Sequence, residues 1–142
     1  MVVDDDVDTR DAVREQLEDA GYAALTARSG REAFTLLLGG ARPRAMVVDL
    51  EMADGDGLML CESCDSIGEL AQIPRLICSG SREAPRTAGR CRARALIGKP
   101  VLGLQLLEAV RGLIGAPHHG GSLRSSSSTG EKKLHPRAAT VR

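Results

Sequence analysis

The stretch Ala45-Met46-Val47-Val48, entered after Pro43 and ended by Asp49, is an unbroken apolar run. A strand that hides one face alternates apolar and polar residues, so a run without alternation reads as a strand buried on both faces. Such strands belong to parallel sheets covered by helices on either side. The rest of the chain repeats this unit. Val2-Val3 is a shorter run ending in Asp4-Asp5-Asp6, and Asp8, with Asp11 three residues on, reads as the cap of a helix. Val13, Leu17 and Ala20 recur at helical spacing along it, and Gly21 stops it. Tyr22 to Thr26 reads as a second strand, and Ser29 with Glu32 forms a capping box ahead of Phe34, Leu36, Leu37 and Leu38.

Past Asp49 the same logic continues. Asp54-Gly55-Asp56-Gly57 reads as a turn, and Leu58 to Cys64 as a short helix with Leu60, Cys61 and Cys64 inward. Pro74 introduces a fourth strand, Leu76-Ile77-Cys78, that ends at Ser79-Gly80. Residues 81 to 94 carry Arg82, Arg86, Arg90, Arg92 and Arg94 with Pro85 and Gly89, which predicts a frayed helix with a solvated basic face. Ala95-Leu96-Ile97-Gly98 is a fifth strand ending at Lys99-Pro100, and Leu106, Val110 and Leu113 mark a final helix. Five strand-helix alternations predict a five-stranded parallel sheet, doubly wound, with helices on both faces.

Length and composition bound the class. A chain of 142 residues, 42% hydrophobic and 27% charged, holds one ordinary core, expected over residues 1–114. From Gly115 the composition shifts to Gly, Ser, Pro, His and Lys, which predicts a disordered tail or truncated linker over 115–142, with His118, His119 and His135 incidental to it. Positions 1–114 hold 14 basic and 18 acidic residues, so the folded part carries a charge of about −4 and offers no basic footprint for DNA. Tyr22 and Phe34 are the only Phe, Tyr or Trp residues, which also argues against a base-stacking surface. No apolar run approaches a membrane span and no signal peptide is evident, so Cys61, Cys64, Cys78 and Cys91 read as reduced thiols of a cytoplasmic protein. Cys61-Glu-Ser-Cys64 has metal or redox spacing but lacks a second pair.

In an open α/β sheet the functional groups gather where strands end and loops leave for helices. Those ends here carry Asp4-Asp5-Asp6, Asp49, Ser79 and Lys99. Carboxylates from separate strands make an oxygen site for a hard dication such as Mg²⁺, which relieves their mutual repulsion. With the ion present, one carboxylate is free to attack a phosphoryl group while a lysine and a hydroxyl offset charge on its oxygens. Asp49, at the end of the strongest strand, suits the nucleophile, Lys99 the cation and Ser79 the donor.

These residues, in this order, resemble the response-regulator receiver domain of two-component signalling. The resemblance runs from about Val2 to Ile114 and rests on VVDDD after the first strand, VVDLEMADGDG around Asp49, CSG after the fourth strand and GKP after the fifth. It implies a flavodoxin-like strand order of 2-1-3-4-5. It also implies that Asp49 is the phosphoacceptor, that Asp5 holds Mg²⁺ directly and Asp4 mainly through water, and that the Glu51 backbone carbonyl completes the metal shell. Ser79 would contact the phosphoryl group and Lys99 would pair with it, while Asp6 has no role and is expected in solvent.

The implied partners are a histidine kinase or phosphotransfer protein and a downstream protein, with no DNA or membrane and with a homodimer allowed. The chain departs from the family in its short first strand, in Ala53 where proline is common, and in Leu96 where an aromatic switch residue usually stands. The same resemblance fits a receiver fragment of a hybrid kinase or of a regulator lacking its output domain. A haloacid-dehalogenase-type phosphatase also uses an Asp and Mg²⁺ at a strand end, but it needs DxDx[TV], and Val7 stands two residues after Asp5.

Overall fold

The computed structural model describes residues 1–53, 56–101 and 103–117. Five strands, β1 (Val2–Val3), β2 (Thr26–Ala27), β3 (Met46–Asp49), β4 (Arg75–Ser79) and β5 (Ala95–Gly98), form one sheet in the order β2-β1-β3-β4-β5. All four pairings are parallel. The flavodoxin-like order expected from the resemblance is therefore the one found. Among the described residues six helices connect and cover the sheet: α1 (Val7–Asp19), α2 (Gly30–Leu38), α3 (Asp56–Asp65), α4 (Gly68–Ala71), α5 (Ala84–Arg90) and α6 (Gly103–Ile114).

The strands sort their side chains by parity. Val3, Val48 and Ile77 face a cluster with Leu37, Leu60, Leu70 and Ala88, so α2 to α5 lie on that side. Val2, Val47, Leu76 and Ile97 face Val13, Leu17, Leu106 and Val110 of α1 and α6. The run at 45–48 is thus buried on both faces, as its lack of alternation predicts.

Register then sets where the polar ends meet. Val3 pairs with Val48, so Asp4 and Asp49 leave their strands at the same level. Ser79 pairs with Gly98, which puts Lys99 one step further along the same edge.

Several local expectations are corrected. The cap of α1 is Asp6, not Asp8: Asp6 has extended backbone and its carboxylate accepts the Thr9 N–H at 3.0 Å, so the helix begins sooner and Asp8 joins its first turn. Strand β2 is Thr26–Ala27 rather than Tyr22 to Thr26, because the two residues of β1 offer partners only to those two. Gly57 begins helix rather than closing a turn, and it is packed so tightly that a Cβ there would lie 2.6 Å from the Asp49 carbonyl oxygen. Asp54, Gly55 and the tail from residue 118 lie outside the described residues. The single-turn α4 was not anticipated; it forms around Leu70, which is fully buried. Residues 81–94 do hold a short helix, with Pro85 in its first turn where its missing N–H is not needed.

Candidate functional site

At the carboxyl edge of the sheet, Asp4 and Asp49 are buried and Asp5 is exposed. Carboxylate oxygens of the three lie within 4.8 Å of one another. Among the described residues this is the one group of three or more potential metal-binding side chains brought together, so Cys61 and Cys64, both buried, enter no such group. Lys99 Nζ lies 2.9 Å from Asp49 Oδ1, and the Lys99–Asp49 pair bridges β5 to β3 across β4.

Loop amides hold the carboxylates in place. The Asp6 N–H donates to Asp4 Oδ1 at 2.9 Å, and the Glu51 N–H donates to Asp49 Oδ1 at 2.9 Å. Arg10 reaches back to the Asp4 carbonyl oxygen at 2.9 Å, tying α1 to the end of β1. Burial pushes the Asp4 carboxyl up to about 6, with the charge of Asp49 adding to the effect and the Asp6 N–H opposing it. For Lys99, burial works against the charged form, yet the hydrogen bond and charge of Asp49, with Asp4 and Glu51, hold its pKa above the ordinary lysine value.

Ser79 is buried, and its Oγ accepts the Ser81 N–H at 3.1 Å while approaching Glu51 Oε1 at 3.4 Å. The Glu51 side chain is the member of the cluster that sequence reasoning missed, having assigned only its backbone carbonyl. Its carboxylate accepts the Gly80 N–H at 2.7 Å and lies 3.3 Å from Lys99 Nζ. Burial favours its neutral form, but the Gly80 N–H and Lys99 prevail and hold its carboxyl below the usual range. An acidic residue two positions after Asp49 was the available signal, since the loop amide at 51 turns back onto Asp49.

Lys99 thus contacts Asp49 and Glu51, while Asp4 and Asp5 cluster with Asp49, so among the described residues the site holds more carboxylates than cations. The donor set is all oxygen, and Asp4 and Asp49 are buried with negative charge in surplus, which fits a hard dication and not a soft one. A separate groove of about 610 Å³, lined in part by Met1, Tyr22 and Pro43, opens at the amino ends of the strands, remote from these carboxylates.

A model of the response regulator receiver domain matches residues 1–111. The chain belongs to that family. This receiver is 34% identical over 116 residues to response regulator MprA of Mycolicibacterium vanbaalenii, a match covering 80% of the chain and 49% of the relative. The chain thus spans about half the length of the MprA proteins it matches. It is also 34% identical over 119 residues to an uncharacterized 14.6 kDa protein of Leptolyngbya boryana, covering 78% of this chain and 86% of that one.

Solved structures agree. The chemotaxis protein CheY4 of Vibrio cholerae matches with a TM-score of 0.72 at 26% identity, over 79% of this chain and 94% of that one. The receiver domain of NtrX from Brucella abortus matches with a TM-score of 0.68 at 30% identity, over 80% of this chain and 95% of that one. Receivers are signalling domains of two-component systems and bind Mg²⁺ at an acidic pocket, and a cluster of aspartates is present here. Among the described residues no helix is long and apolar enough to cross a membrane.

Proposed function

We propose that Asp49 accepts a phosphoryl group from the phosphohistidine of a kinase or phosphotransfer protein, and that the chain switches its binding to a downstream protein in consequence. The observation that carries this reading is the buried Asp49 carboxylate held 2.9 Å from Lys99 inside a cluster with Asp4 and Asp5. An Asp49 carboxylate oxygen attacks phosphorus, an O–P bond forms as the P–N bond breaks, and the electron pair returns to the imidazole nitrogen, which takes a proton from solvent. Lys99 offsets charge on the transferred oxygens, and Ser79 Oγ–H donates to one of them.

Asp5, with Asp4 through water, Asp49 and the Glu51 carbonyl, would hold Mg²⁺. The bound ion supplies positive charge against the phosphoryl oxygens. Burial of Asp49 and Asp4 excludes bulk water from the acceptor's inner side, so the phosphodonor approaches from the open edge near Asp5. Ser79 ends β4 and Lys99 opens the loop after β5, so a phosphoryl group drawing on both is positioned to repack the loops that follow these strands.

Intact-mass measurement after incubation with Mg²⁺ and acetyl phosphate should find one added phosphoryl group on the wild type and none on Asp49→Ala. A wild type that gains none, or an Asp49→Ala chain that gains as much, overturns the reading.

A further inference from the structure

We propose that the Glu51 carboxylate is an internal plug that occupies the donors meant for the phosphoryl group and must swing out before Asp49 is modified. The inference rests on the phosphoacceptor reading of Asp49. Three donors converge on Glu51: the Gly80 N–H at 2.7 Å, the Ser79 hydroxyl at 3.4 Å and Lys99 Nζ at 3.3 Å. A phosphoryl group on Asp49 would draw on the same lysine and hydroxyl, since Ser79 ends the neighbouring strand β4 and Lys99, just past β5, already contacts Asp49.

A carboxylate and a phosphoryl group are both anions with several acceptor oxygens, and charge-assisted donors of this kind bind either. They cannot share the set, because a phosphoryl dianion beside the Glu51 carboxylate would place like charges in contact. Exposure decides which anion yields. Asp4 and Asp49 are 5% and 3% exposed and fixed by loop amides, whereas the Glu51 side chain is 38% exposed and has a path into solvent.

Gly80 is part of the device. A Cβ at that position would lie 3.2 Å from Glu51 Oε1, so the lack of a side chain lets the carboxylate reach the amide. A site open for only a fraction of the time reacts with its ligand in proportion to that fraction. The plug thus sets the rate at which this chain takes up a phosphoryl group at limiting donor.

The test compares wild type, Glu51→Gln and Glu51→Ala. With Mg²⁺ and subsaturating acetyl phosphate, Glu51→Ala should be phosphorylated about tenfold faster than wild type, and Glu51→Gln, which keeps an acceptor but loses the charge, should fall between. Without Mg²⁺ or donor, the Gly80 amide proton should move upfield in Glu51→Ala as its acceptor is lost. A wild type that is phosphorylated on Asp49 while both variants react no faster overturns the plug and leaves the acceptor reading standing. A Gly80 amide that does not move also overturns it. Failure of all three chains to gain a phosphoryl group overturns the acceptor reading, and the plug with it.

Discussion

At opposite ends of the sheet stand two ion pairs, each with one buried and one half-buried partner, of opposite character. At the carboxyl edge, Lys99 and Asp49 meet at 2.9 Å among three further carboxylates. At the amino end of β4, Arg75, 1% exposed, meets Asp65 at 2.8 Å and donates to the Cys91 carbonyl at 2.9 Å. The second carries no surplus of acid, since Asp65 also lies 3.7 Å from the exposed Arg92, and it clamps α3 and the end of α5 to β4. The first sits where, among the described residues, the clustered carboxylates outnumber the cations that contact them, Lys99 and, at the Asp4 carbonyl, Arg10. An acid met by basic groups holds a fold together; acids clustered in surplus are kept against stability and mark a site suited to a cationic ligand.

The sharpest way to break this contrast is to remove one acid from each pair. Asp65→Ala leaves Arg75 buried without its carboxylate and should cost about 3 kcal/mol in urea unfolding. Asp49→Asn removes a charge from a repelling cluster while Lys99 keeps Glu51, and it should stabilise the metal-free protein by about 1 kcal/mol. Equal losses from both would erase the distinction drawn here.

Adding the implied ion should sharpen it next. Mg²⁺ at 100 times its dissociation constant should raise the unfolding free energy by about 2.7 kcal/mol, and Asp5→Asn should abolish most of that gain. Asp65→Ala should leave the Mg²⁺ increment unchanged, because its carboxylate belongs to the other pair.

The smallest effect is one of pH in metal-free buffer. Burial lifts the Asp4 carboxyl from the ordinary 3.8 to about 6, so the folded chain binds its proton more tightly than the unfolded one. Its contribution therefore favours the fold at low pH and is lost as pH rises from about 4 through about 6. The urea midpoint of wild type should show this component, and Asp4→Asn should remove it. A profile identical in both chains would mean that Asp4 is not desolvated as described.

Reading the chain without coordinates recovered the parallel sheet because continuous apolar runs and helical spacings are local signals, written within a few residues of one another. Asp4, Asp5, Asp49, Ser79 and Lys99 were legible for a related reason: each follows a recognisable strand, and strand ends in a parallel sheet share one edge. Cap and boundary details were less so. Asp6 and Asp8 are equally good caps by residue type, and only the path of the chain leaving β1 selects Asp6. Nothing near Arg75 in sequence announces that Asp65 and the Cys91 carbonyl will enclose it.

The order of residues determined by itself which segments become strands, which become helices and which acids stand at strand ends, because backbone propensity and side-chain parity act over short range. What tertiary structure alone decided is which charges meet. The Glu51 carboxylate lies against Gly80, Ser79 and Lys99 because parallel register brings three separate loops to one edge, and distances between loops are a property of the packed sheet rather than of any stretch of chain.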